Sequence, residues 1–206
     1  MNDTERRASP RLLLDRVMPE YEFAGRASVR FQGSASVMFR SLFEVTLADM
    51  PLAAALGTIR YLPGRLLHRT AVPPPTQAPF LQQLLASRNI LLADDPGWEL
   101  VIGSIGKFHQ LLNQEQVSLS DAAAFANFTD PAYQKLVMSF HVEDSPHGRR
   151  FVLEHRTHAL SAKAHRAFAR YWIAIKPAGH FVSWLLLRAV RRRAEMFTWD
   201  SAPDPL

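Results

Sequence analysis

Eight histidines and no cysteine set the chemistry open to this chain. Disulfides, thiolate nucleophiles and thiolate metal ligands are excluded. His155-Arg156-Thr157-His158 resembles a metal-binding pair, but the stretch reads as a strand. Residues three apart on a strand point to opposite faces, so the two imidazoles cannot share an ion. No HExxH spacing occurs, and neither a metal nor another cofactor is expected. The odd positions Phe151, Leu153, His155 and Thr157 make the more apolar face of that strand, so His155 is expected to look inward. There it either bonds a ligand or is a core histidine satisfied by a neighbour. It is also the one candidate catalytic residue, as a general acid or base. Glu154 and Arg156 fall on the opposite face and read as a surface ion pair worth little energetically. A bulge in the strand would exchange the two faces.

Two other stretches invite a chemical reading. Gly103-Ser104-Ile105-Gly106-Lys107 has two residues between its glycines where a phosphate loop needs four, and Phe108 stands where Ser or Thr is required. These glycines instead suit strand curvature or the close approach of a helix. Arg188, Arg191, Arg192 and Arg193 sit near the end of the last helix. Favourable charge at a helix C-terminus explains them. Weak contact with an anionic membrane is the other reading. Nucleic-acid binding is not expected, because no stacking platform is interleaved with the arginines.

The elements that must position these residues follow from periodicity. From Ser161 to Glu195 one long amphipathic helix is expected, with Ala164, Tyr171, Ala178 and Leu185 on one seam and Phe168, Ile175, Val182 and Ala189 on the other. The stripe holds its phase through Pro177, which predicts a kink rather than an end. Tyr21 to Gln32 alternates as a strand with one buried and one wet side. Further strands are expected over Ile90 to Ala93, Trp98 to Phe108, Gln116 to Leu119, Lys135 to Glu143 and Arg150 to Ala159. Short helices are expected over Arg11 to Met18, from a Ser34 or Ser36 cap to Val45, over Leu52 to Leu67, over Phe80 to Ser87, and from a Ser120 or Asp121 cap to Phe128. Ala71 to Pro79 holds four prolines and reads as a loop. Strands clustered between helices predict an α+β fold, with antiparallel strands curving around the terminal helix.

At 206 residues, 48% of them hydrophobic, the chain is expected to be one domain over residues 11–197, with tails at 1–10 and 198–206. A GC-rich bacterial genome would give the excess of arginine over lysine, which bears on codons and not on function. Residues 1–16 carry no signal-peptide pattern, and no uninterrupted apolar run nears the roughly 20 residues of a membrane span. A cytoplasmic location is the expectation.

Several local sequences carry a resemblance. They are Leu13-Leu14-Asp15-Arg16-Val17-Met18-Pro19, Glu44-Val45-Thr46-Leu47-Ala48-Asp49-Met50-Pro51-Leu52, Gly103-Ser104-Ile105-Gly106-Lys107-Phe108, and Arg170-Tyr171-Trp172 leading into Ile175-Lys176-Pro177. With the order of elements, they resemble the START-like SRPBCC superfamily, near its bacterial polyketide cyclase and dehydrase members. The resemblance covers about Leu12 to Glu195. It implies a helix-grip fold and a cavity for a hydrophobic ligand between sheet and terminal helix; function does not follow from fold alone. The residues expected to meet there are Ser104, Met138, Phe140, Leu153, His155, Phe168, Tyr171, Trp172 and Ile175. The Tyr171 hydroxyl needs a partner when buried and suits a polar ligand group. The functional expectation is binding of a lipid, isoprenoid or polyketide-like molecule. The alternative is a cyclase, aromatase or dehydratase using His155.

Overall fold

The computed structural model describes residues 12–56, 77–110 and 115–200. Its elements are α1 (Leu13–Val17), β1 (Phe23–Phe31), α2 (Ala35–Glu44), a 3-10 turn (Leu47–Asp49), the start of α3 (residues 51–56), α4 (Phe80–Ala86), β2 (Ile90–Asp95), β3 (Glu99–Gly106), α5 (Ala122–Asn127), β4 (Gln134–Ser145), β5 (Gly148–Ala159) and α6 (Ala162–Asp200). The strands form one open antiparallel sheet in the order β1-β5-β4-β3-β2. The α+β class and the long C-terminal helix are therefore as expected.

Local chemistry sets the boundaries. Ser34 caps α2, its side chain accepting from Ser36 N, and Asp121 caps α5 by accepting from Ala124 N. Ser161 Oγ accepts from Ala164 N at 3.1 Å and so starts α6. Gly148, at φ +103°, turns the β4–β5 hairpin. A Cβ at Gly103 would meet Leu92 and Phe125, so this glycine lets α5 close on the sheet. Gln116 makes only an isolated bridge to Gly106, so the strand expected over Gln116 to Leu119 does not form. Tyr21 lies outside β1 and is exposed. The Leu52 to Leu67 helix and the Ala71 to Pro79 loop lie largely outside the described residues, as do the 1–10 tail and most of the 198–206 tail.

The sheet is covered on both faces. One face carries the main core, where Ala27, Val29, Leu100, Ile102, Phe140, Phe151 and Leu153 pack against α2 and the C-terminal part of α6. Phe39 meets Phe151 edge to face, with ring centroids 5.2 Å apart. At the other end of that face Phe23, Phe108 and Phe168 close a smaller cluster with Leu136, Tyr171 and Trp172 beside it. The opposite face packs Val101, Ile105 and Val137 against Leu14, Met18 and Phe125 of the short helices. All eight residues of β3 are consequently buried.

That second layer corrects the reading of Arg156. Its side chain is 8% exposed, not a surface group. It contacts Glu154 Oε1 and Asp15 Oδ1, each at 2.8 Å, donates to Met18 O at 3.1 Å, and stacks on Tyr21. It thereby ties α1 to β5.

α6 has 39 residues, which at about 1.5 Å per residue make a rod of about 58 Å. It runs through Pro177 and packs on β1, β5 and α2. Its burial is not continuous. Ala164 and Phe168 are buried near one end, and Leu186, Leu187, Ala189, Val190 and Ala194 near the other. Between them Ala178 is exposed and Val182 is 36% exposed, against the expectation that both seams are buried throughout. By length and composition residues 162–197 could cross a membrane, and 22% of the qualifying window is buried.

Candidate functional site

The gap in burial lies over a specific row of the sheet. Gly25, His155, Met138 and Ile102 stand side by side on β1, β5, β4 and β3. The main core takes in Ile102 and packs on Met138, so the gap lies over the Gly25–His155 end of the row, with the aromatic cluster beyond it. Above it α6 passes Pro177, whose ring removes one intrahelical hydrogen bond. A cleft of about 450 Å³ opens there, lined by Ala24, Gly25, Arg26, His155, Lys176, Pro177 and His180. A second hollow of about 360 Å³ shares Arg26 and His180 with it and adds Ala27, Ser28, Arg150 and Trp184. Both follow β1, an edge strand of the sheet.

His155 is the central polar group. Its ring lies over the backbone of Gly25, where any Cβ would overlap the imidazole, so glycine is required for this placement. The Trp172 indole meets it at 5.5 Å and 72°, nearly edge-on. No hydrogen bond to either ring nitrogen is found among the described residues. Burial pushes the imidazole's pKa below 6.5; the Glu154 carboxylate opposes that shift and His180 adds to it. The ring is therefore neutral at pH 7, with one nitrogen able to donate and the other to accept. Lys176 and His180 are exposed on the cleft wall, and Arg26 pairs with Glu143. The arrangement offers an apolar floor, a neutral imidazole and a cationic rim. It suits a ligand with an apolar body and an anionic or hydrogen-bonding head.

The other expected residues fall around this cleft rather than in it. Phe140 and Leu153 are closed within the main core, at 1% and 4% exposure. Met138 packs against that core, partly buried. Phe168, Tyr171 and Trp172 form the aromatic end, and Ile175 is half-buried on α6. Ser104 and Thr157 are buried, and neither hydroxyl has a hydrogen-bond partner among the described residues. The two flank Leu136 in register. Of the nine residues, His155 alone lines the cleft.

The four arginines of the helix end are mostly occupied. Arg188 stacks on Trp184, and Arg191 lies 3.4 Å from Glu195. Arg192 donates to Asp49 O, and Arg193 lies 3.5 Å from both Glu44 and Asp49.

A more catalytic-looking group sits on the opposite face. Ser139, His141 and Glu143 alternate along β4. Ser139 Oγ lies 3.0 Å from His141 Nδ1, and His141 Nε2 lies 3.2 Å from Glu143 Oε1. The composition is that of a Ser-His-Glu triad, but the hydroxyl points the wrong way for attack. Ser139 donates to Glu99 Oε1 at 2.7 Å, and both Ser139 and His141 are completely buried. Glu99 also accepts from Leu13 N at 2.6 Å and Leu14 N at 3.0 Å, which caps α1. The network holds a helix on a sheet. Its signal was in the sequence, as three polar residues alternating with Met138, Phe140 and Val142.

Among the described residues no cluster of three or more His, Asp or Glu is placed to hold a metal ion. Comparison with protein-family models, with curated proteins and with solved structures found no match to this chain.

Proposed function

We propose that this chain is a helix-grip-type binding protein for an amphipathic small molecule, held in the cleft between β1 and the Pro177 region of α6. The observation that carries the reading is the half-buried His155 imidazole, which lines the cleft and has no hydrogen-bond partner among the described residues. A ligand atom that bonds this imidazole replaces water there, and a net hydrogen bond of that kind is worth about 0.5–1.5 kcal/mol. The ligand's apolar part gains about 25 cal/mol per Å² removed from water, less the cost of ordering it. Lys176 and His180 favour a carboxylate or phosphate at the rim. The cleft volume of about 450 Å³ falls in the roughly 300–1,000 Å³ range of small-molecule sites. A fatty acid, an isoprenoid acid or a polyketide-like acid has the required chemistry. Calorimetric titration with dodecanoate tests this: saturable one-site binding is expected, weakened by His155→Ala. Heat indistinguishable from dilution for dodecanoate and for an aromatic acid such as 2-naphthoate would refute it.

A second reading rests on the same imidazole. A neutral histidine with a free nitrogen in a cleft is competent as a general base, so a cyclase, aromatase or dehydratase acting on a polyketide-like substrate is the alternative. His155→Gln separates the two: it abolishes turnover while leaving product binding within a few-fold if the site is catalytic.

A further inference from the structure

One side of α6 carries a stripe that meets the cleft only at Pro177 and the second hollow only at Trp184. At three- and four-residue spacing it reads Arg166, Arg170, Ile173, Pro177, Phe181, Trp184, Arg188, Arg192. Residues so spaced share one side of a helix. The order is two arginines, four apolar or aromatic residues, two arginines. Ile173 is 78% exposed and Phe181 41%, and neither belongs to any of the three cores. Phe181 stacks on Trp184 at 5.9 Å, and Arg188 lies 4.5 Å over the same indole. Arg166, Arg170, Arg188 and Arg192 are exposed. Between Ala162 and Phe197 the helix holds eight Lys and Arg residues against one acid, Glu195.

We infer that this stripe docks the protein on an anionic lipid surface, with α6 lying in the plane of the interface. Large exposed apolar side chains need a cover, and the charges around them select it. A second copy of this chain would bring arginine pairs against arginine pairs, in parallel or antiparallel pairing, which is repulsive. Anionic headgroups complement the basic ends while Ile173 and Phe181 enter the acyl boundary. The tryptophan sits beside them, where an amphipathic ring favours the interface. A membrane-spanning placement is excluded for the folded protein, because Leu186, Leu187, Ala189 and Val190 of the same helix are 0–4% exposed in the core and would have to leave it. Docking of this kind requires neither His155 nor a bound small molecule, although Pro177 is shared with the cleft wall.

The test is co-sedimentation of the full chain with vesicles. Binding is expected to mixed phosphatidylglycerol–phosphatidylcholine vesicles at low salt, to weaken as salt rises, and to be slight on phosphatidylcholine alone. Ile173→Asp with Phe181→Asp should cut binding by at least about tenfold, since each change removes a large apolar group that docking would take out of water. Arg166→Gln with Arg170→Gln should cut it about fivefold or more per charge on the anionic vesicles. The second pair keeps the test decisive if the first fails to fold. A blue shift of tryptophan emission on anionic vesicles would support insertion. Equal binding to both vesicle types, no binding at low salt, or a dimer that Phe181→Asp dissociates would each overturn the proposal.

Discussion

The two faces of the β4–β5 hairpin carry similar polar residues and use them differently. On one face Ser139, His141 and Glu143 form a chain with Glu99, and Arg156 reaches three partners. On the other, His155 sits one row away with no hydrogen-bond partner among the described residues and with open space above it. The first face looks like catalytic machinery and is scaffolding. The second holds one histidine and is the better site. What separates them is not residue type but whether hydrogen-bonding capacity is already spent inside the protein.

The largest expected effect breaks the scaffold. Glu99→Ala uncaps α1 and strands the Ser139 hydroxyl, so unfolding by urea should show a loss of about 3–5 kcal/mol. His155→Ala should cost about 1 kcal/mol or less, because it severs no hydrogen bond. Equal losses at the two positions would erase the distinction between the faces.

A smaller effect sharpens it through pH. The folded chain binds a proton at His155 less readily than the unfolded chain does. As pH falls through about 6.5, the unfolded state gains that proton first, so stability is full above this pH and declines on acidification. Urea midpoints measured from about pH 7.5 to about pH 5.5 should show the decline, and His155→Gln should flatten it. An unchanged slope in His155→Gln would mean that the imidazole is not desolvated in the folded state.

Much of this fold is written in local pattern. Alternation in β1, β4 and β5 assigns their faces correctly, Ser34 and Asp121 mark helix starts, and α6 runs on through Pro177. What local pattern lacks is the partner. Arg156 occupies the polar side of an alternating strand, which looks like a wet side until α1 folds over it. Nothing near Glu99 announces that its carboxylate will cap a helix 85 residues away. Ala178 and Val182 belong to the inward seam by phase, yet periodicity says which side can be buried and not whether the sheet reaches it. The candidate site arises from that shortfall. Phe140 and Leu153 are on the right face but too deep in the core, and the cleft walls come from Gly25, Lys176 and His180, residues with no strong pattern of their own.

The most direct measurement turns on Gly25. A methyl group there would force the His155 ring off its seat and into the cleft, while leaving the polar network of the other face intact. Dodecanoate should be titrated calorimetrically into the native chain and into Gly25→Ala, with thermal unfolding measured on both. Saturable binding to the native chain is expected, with a loss of at least about tenfold in a Gly25→Ala variant that still folds cooperatively. Undiminished affinity in a folded Gly25→Ala would contradict it, because the ligand would then lie somewhere other than beneath Pro177.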